Sequence, residues 1–166
     1  MERIRWSVDQ VDPGSDERIM EIGCGGGTAA ALVCGRLVTG SLTAIDRSLT
    51  AVRRTLARNG SCVESGRLTV LQAPFTFDGV GELGGFDKIF SINVNLFWTS
   101  PAREELALLR RLLVPGGAMF ACWGRGPTPG RSDEIAARTA ARFSDAGFET
   151  SVISSAGLQC VRALSV

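Results

Sequence analysis

The chain has 166 residues, 45% hydrophobic and 21% charged, which is the balance of one folded domain rather than of a disordered chain. Eighteen basic residues face seventeen acidic ones, and the resulting formal charge of +1 speaks against a general nucleic-acid binder with its strongly basic footprint. Histidine and tyrosine are absent, so Ser-His-Asp and Cys-His catalysis and every histidine-containing metal site are excluded.

In chain order, residues 1–12 are charged throughout and read as an N-terminal segment with no apolar signal-peptide core, expected to be mobile unless it folds over a ligand. Arg18 to Ile22 reads as a strand running straight into the glycines of residues 23–27. A helix follows from Thr28 to Val38, with Ala30, Val33 and Leu37 on one face and Gly40 as its stop. Leu42 to Ile45 is a second strand, closed by Asp46. Ser48 is the expected N-cap of a helix to Arg58 whose buried face would be Leu49, Val52 and Leu56, ended by Asn59-Gly60. Leu68 to Leu71 is a third strand. Residues 72–85 hold Pro74 and four glycines, and predict a loop with at most a short helix.

Lys88 to Asn93 is a fourth strand of the buried type. Ser100-Pro101 is expected to open a helix with the stripe Leu106, Leu109 and Leu113, and Pro115-Gly116-Gly117 to close it. Ala118 to Trp123 is a fifth strand, followed by a turn-rich loop to Arg131. Ser132 is the expected cap of a helix with the inner stripe Ile135, Thr139, Phe143 and Ala146, and Gly147 its C-terminal stop. Phe148 to Ser154 and Leu158 to Leu164 are joined by a link short enough only for a hairpin. The whole predicts a single α/β domain over residues 1–166, a doubly wound and mostly parallel seven-stranded sheet with one antiparallel strand from the C-terminal hairpin and helices on both faces.

Cys24, Cys34, Cys62, Cys122 and Cys160 are scattered and never form C-x-x-C, so neither a disulfide framework nor a zinc cluster is indicated. Reduced, mostly buried thiols in a cytoplasmic protein are expected. No stretch of about 18 apolar residues occurs, so no membrane span is expected.

The sharpest motif is Glu21-Ile-Gly-Cys-Gly-Gly-Gly27, between a strand and a helix, with Asp46 closing the next strand nineteen residues after Gly27. Glycines there let the backbone approach a ligand, the helix N-terminus offers free N–H groups, and a carboxylate at the position of Asp46 can accept both hydroxyls of a ribose. A dinucleotide fingerprint wants G-x-G-x-x-G, whereas Thr28 stands at its sixth position. Glu21 is also a poor neighbour for a pyrophosphate and a good one for an ammonium or sulfonium. A nicotinamide-dependent oxidoreductase is therefore the less favoured alternative.

Glu21 to Gly27 resembles the first motif of the class I S-adenosylmethionine-dependent methyltransferases. Asp46 is similar to that family's ribose-binding acid, Phe86 to Asn93 to its fourth-strand motif, and Leu112-Leu-Val-Pro-Gly-Gly117 to the turn before its fifth strand. The resemblance runs from about Asp12 to the C-terminus and implies S-adenosyl-L-methionine as cofactor. It would put Glu21 near the methionine amino group and Gly23, Cys24 and Gly25 along the methionine and ribose. Asp46 would hold the ribose hydroxyls and Arg47 would lie beside the adenine, with Gln72 and Ala73 following the third strand. Asn93 would face the transferring methyl. The acid that family often carries after its third strand is missing from residues 72–77, where Gln72 could offer an amide oxygen and Phe75 or Phe77 a stacking ring.

The resemblance implies methyl transfer to a small-molecule acceptor, with a non-catalytic cofactor-binding protein as the alternative; from the charge balance and the lack of a long apolar stretch, no nucleic acid and no membrane are expected as partners. Asn93, Asn95 and Trp98 are the candidates for orienting the acceptor. Phe97, Trp98 and Trp123 either wall an apolar pocket or pack as core. Asp78, Glu82 and Asp133 are the available bases, Arg125 and Arg131 are anion candidates, and Arg53, Arg54 and Arg58 read as a solvated helix face. Insertions that could carry specificity are minimal, so the acceptor site is expected to be shallow or completed by a second subunit in a homodimer.

Overall fold

A computed structural model describes residues 1–124 and 131–166. Its centre is a seven-stranded sheet in the order β3-β2-β1-β4-β5-β7-β6. The strands are β1 (Arg18–Ile22), β2 (Ser41–Asp46), β3 (Leu68–Gln72), β4 (Phe86–Ile92), β5 (Leu113–Trp123), β6 (Phe148–Ser155) and β7 (Leu158–Ser165). The first five pair in parallel, and β7 inserts antiparallel between β5 and β6, as the short hairpin link requires. This is the doubly wound, mostly parallel arrangement expected from the alternation of apolar runs and helices.

The helices are α1 (Glu2–Val11), α2 (Thr28–Cys34), α3 (Leu49–Arg58), α4 (Gly60–Glu64), α5 (Phe77–Val80), α6 (Leu96–Thr99), α7 (Arg103–Leu112) and α8 (Arg131–Asp145). Because side chains alternate across a strand, β1 sends Ile19 into one apolar layer and Met20 and Ile22 into the other. The first layer takes Val8 and Val11 of α1 and Ala29, Ala30 and Val33 of α2. The second takes Leu106, Leu109 and Leu112 of α7 and Phe143 of α8, whose ring meets Phe97 at 5.3 Å and Phe148 edge-on at 5.8 Å. All five cysteines are free and buried.

Several boundaries differ from the sequence expectation, each for a local reason. Most of residues 1–12 are helical: Ser7, Val8 and Val11 lie on one side of α1 (Glu2–Val11) and are buried, so a short apolar stripe docks a segment whose mean composition is polar. On α3, Leu49 and Leu56 are exposed, and Val52 and Thr55 are the buried residues. Asn59-Gly60 does not end the helical run, since α4 follows directly. Ser100 is not the cap of α7; Ala102 is, and α6 precedes it. β5 begins at Leu113, with a register shift between Phe86 and Lys88 on β4 absorbing Pro115-Gly116-Gly117. Ser132 lies inside α8 rather than capping it. Ser48 does cap α3, accepting from the Ala51 N–H at 3.4 Å.

Candidate functional site

All parallel strands end at one edge of the sheet, and the crevice there opens between β1 and β4, where the strand order reverses direction. The loop after β1 is pinned at its start. Gly23 N and Cys24 N both donate to Ile45 O, at 2.8 and 3.0 Å, tying the loop to the end of β2. Gly23 has φ +77°, and a Cβ there would meet Val94 Cγ2 at 2.7 Å, so only glycine lets the loops after β1 and β4 approach this closely.

The rest of the loop is held by α3. Thr55 Oγ1 lies 3.3 Å from both Cys24 Sγ and Gly25 O. Arg58 Nε donates to Gly26 O at 2.7 Å, and Asn59 Nδ2 to Gly27 O at 3.1 Å. Three successive carbonyls thus face side-chain donors from α3 and its C-cap residue. Gly27 packs so tightly against α3 that a Cβ would meet Thr55 Cα at 2.7 Å, whereas nothing lies within 4 Å of a Cβ on Gly25 or Gly26. Arg58 is therefore not simply part of a solvated face. Val52 and Thr55 of α3, with Asn59 at its C-cap, and not the leucines, make its buried side.

Asp46 completes the loop's support. Its Oδ2 accepts from Gly25 N at 3.1 Å and its Oδ1 from Ser48 N at 2.9 Å. Each oxygen keeps a lone pair for a further donor. Glu21 is the deeper acid: it is 2% exposed, and its Oε2 is buried with no hydrogen-bond partner among the described residues. Burial first, and then the charge of Asp46, hold its carboxyl well above the usual carboxylate range. Cys24 is buried and its thiol is pushed up to about 11, chiefly by desolvation, which makes it a packing group and not a nucleophile.

At the end of β4, Asn93 has φ 58°, a left-handed conformation that asparagine tolerates better than most residues. Its N–H donates to Cys122 O at 2.9 Å and its Oδ1 accepts from Gly124 N at 3.3 Å, which fixes the side chain between the ends of β4 and β5.

Two adjacent clefts run along this edge and share Gly23 and Asn93. The smaller, about 140 Å³, is lined by Glu21, Cys24, Gly25, Gly26 and Ile92 and by Arg3 and Ile4 of α1. The larger, about 440 Å³, is lined by Asp46, Arg47, Ala73 to Thr76, Asn93 to Leu96, Thr99 and Glu105. That volume falls within the roughly 300–1,000 Å³ common for small-ligand sites. A third cleft, about 600 Å³, lies between α7 and α8, away from the strand ends.

The structure brings most of the sequence candidates together. Glu21, Gly23, Cys24, Gly25, Asp46, Arg47, Ala73, Asn93 and Asn95 all line one or other cleft. Gln72 does not: it is exposed, and its Nε2 donates to Arg47 O at 3.3 Å. Phe75 is buried against the larger cleft, while Phe77 is 45% exposed on α5. Phe97 is core. Trp98 packs on Trp123 with ring centroids 5.1 Å apart, and neither lines the clefts described.

Asp78, Glu82 and Asp133 stand outside both clefts, and Asp133 Oδ1 accepts from Gln159 Nε2 at 2.7 Å. Arg125 falls outside the described residues, and Arg131 opens α8. Sequence reasoning missed Arg3 and Glu105. Neither belongs to a motif; each reaches the site only because its helix docks beside the strand ends. Among the described residues no group of three or more Cys, Asp or Glu could hold a metal ion, and no helix is long and apolar enough to cross a membrane.

Comparison with known proteins agrees with this architecture. A family model described as a methyltransferase domain matches residues 20–119. No curated protein matches the chain in sequence. Among solved structures, an S-adenosylmethionine-dependent methyltransferase from Aquifex aeolicus superposes with a TM-score of 0.77 at 18% identity, covering 98% of this chain and 89% of that one. A precorrin-6y C5,15-methyltransferase from Geobacter metallireducens GS-15 gives 0.76 at 14% identity, covering 99% and 88%. An S-adenosylmethionine-dependent O-methyltransferase from Thermotoga maritima gives 0.77 at 14% identity, covering 99% and 65%. At such identities the structural likeness is one of fold.

Proposed function

The chain belongs to the methyltransferase-domain family whose model spans residues 20–119, a family that uses S-adenosylmethionine, and from that premise we propose that it transfers a methyl group to a small-molecule acceptor at the junction of the two clefts. Glu21 carries this reading. A buried carboxyl with an unpartnered oxygen beside an open glycine loop is costly to keep unless a donor arrives. An α-ammonium meets that need, directly or through water, while a pyrophosphate would add to the repulsion. Asp46, with a lone pair left on each oxygen, suits two vicinal hydroxyls, and the residues present therefore fit an adenosyl-amino-acid cofactor.

In this reading Gly25 and Gly26 leave open the space that the methionine portion fills. Arg3 of α1 offers a guanidinium at the same end of the cleft, where a carboxylate would lie. Gly23 and Asn93, common to both clefts, stand where the methyl would be presented, and Asn95 lies beside them toward the acceptor. When bound, the cofactor supplies an electrophilic methyl on a sulfonium, which leaves as a neutral thioether without help from an acid. The task left to the chain is orientation, which in favourable intramolecular systems accounts for about 7–11 kcal/mol of a barrier. No base is needed for an acceptor that is already a thiolate, carboxylate or free amine, in keeping with Asp78, Glu82 and Asp133 all lying outside the clefts.

Titration calorimetry with S-adenosylmethionine, S-adenosylhomocysteine and NADH tests the binding half of the proposal. Binding of both adenosyl ligands and not of NADH is expected, and no adenosyl binding at millimolar concentration would overturn it. Release of S-adenosylhomocysteine in the presence of a panel of nucleophilic acceptors tests the transfer; binding without turnover on any of them favours the non-catalytic alternative.

A further inference from the structure

Resting on the reading above, we infer that Glu105 of α7 is the residue that recognises the base of the cofactor, accepting a hydrogen bond from the exocyclic amino group of adenine. With the ribose on Asp46 and the amino-acid portion along the glycine loop, the base extends into the remainder of the larger cleft. Most of the walls there are apolar or already engaged. Ala73, Pro74, Phe75 and Leu96 supply apolar surface. Thr99 Oγ1 donates to Asn95 O at 2.9 Å, and Thr76 Oγ1 accepts from Gly79 N at 3.1 Å. Gln72, the nearest amide in sequence, does not line the cleft, and its Nε2 is directed to Arg47 O.

Two carboxylates line the cleft. Asp46 has both oxygens engaged by backbone N–H groups, whereas Glu105 has no hydrogen bond or ion pair among the described residues. It is half-buried, immediately precedes the buried Leu106, and thus sits where α7 packs against the layer that contains Phe75. A partly desolvated acceptor-only group in an apolar-walled cleft selects a ligand that brings a donor. An amino-substituted heterocycle brings one, and a 6-oxo heterocycle presents an acceptor at the same place. Glu105 thereby makes the cleft selective for adenosyl over inosyl ligands, from an element with no sequence motif to mark it.

The test is a calorimetric comparison of S-adenosylhomocysteine with S-inosylhomocysteine on the wild-type chain, Glu105→Ala and Glu105→Gln. Wild type should prefer the adenosyl ligand. Glu105→Ala should lose about tenfold in adenosyl affinity, as expected for one charge-assisted hydrogen bond, while inosyl affinity changes less than about twofold. Glu105→Gln, whose amide oxygen still accepts, should keep part of the preference. Equal losses for both ligands, or an unchanged preference with intact adenosyl binding, would overturn the assignment to the base. So would an effect confined to acceptor turnover, which would place Glu105 at the acceptor instead. Failure of the wild-type chain to bind any adenosyl ligand would overturn the underlying reading together with this one.

Discussion

At the glycine-loop end of the cleft, backbone groups are held by other parts of the fold: the carbonyls of Gly25, Gly26 and Gly27 face Thr55, Arg58 and Asn59, and the N–H of Gly25 reaches Asp46. At the other end the lining is mostly side chains from the segments after β3 and β4, and Glu105 stands there without a partner among the described residues. One end is preorganised before any ligand arrives; the other presents an acceptor with no partner among the described residues. In the proposed methyl transfer, preorganisation of the backbone suits the part of the ligand that must be placed to within fractions of an ångström. In the proposed arrangement, selectivity for the distant base requires only a matched donor and acceptor.

Four substitutions separate the ends. Gly27→Ala should have the largest effect, because φ +76° disfavours any side chain and its Cβ would meet the Thr55 backbone at 2.7 Å. Strain plus overpacking predicts a loss of about 2–5 kcal/mol in a denaturant titration. An unchanged midpoint would mean that α3 does not clamp the loop.

Asp46→Ala comes next. It removes the proposed ribose acceptor and the support of Gly25 N together, and should weaken S-adenosylhomocysteine binding by more than about tenfold. If calorimetry shows unaltered affinity, the ribose lies elsewhere.

Glu21→Gln probes the pH response of the preorganised end. Burial raises the carboxyl above its ordinary 4.5, so the folded chain holds its proton over a range in which the unfolded chain releases it. The contribution of this group to stability is full below the unfolded value and is lost as pH rises through the raised folded value. The ligand-free melting temperature of wild type should therefore carry a downward component with rising pH over that window, and Glu21→Gln should remove it. Identical pH profiles for the two proteins would show that Glu21 does not titrate with folding.

Phe77→Ser should have the smallest effect. Phe77 is 45% exposed and lies outside the larger cleft, unlike Phe75. Ligand affinity should stay within about 0.5 kcal/mol of wild type, and a larger loss would extend the proposed base-binding end to α5.

Much of this molecule is legible in local chemistry. The alternation of apolar runs with helical stripes predicts the sheet, and the short link at Ser155-Ala156-Gly157 predicts that β7 turns back antiparallel to β6. Glu21, the glycines and Asp46 are consecutive or spaced by one strand–helix unit, so their meeting at the strand ends follows from connectivity alone. The two leucines of α3 mislead, because Val52 and Thr55 make its buried side and Thr55 faces a carbonyl of the glycine loop. The N-terminal segment misleads in the opposite sense: its stripe of Ser7, Val8 and Val11 is too short to stand out among charges, yet is enough to dock a helix on an existing layer.

The sequence by itself determined the strand order's parallel character, the glycine loop, its two acids and the absence of histidine chemistry, since these depend on residue type and on spacing along the chain. Tertiary structure alone decided that Thr55, Arg58 and Asn59 hold the loop, that Gln72 turns away from the cleft, and that Arg3 and Glu105 line its opposite ends. Those residues act across sequence separations of tens of positions. Their partners are set by how helices dock on the sheet, which no local pattern encodes.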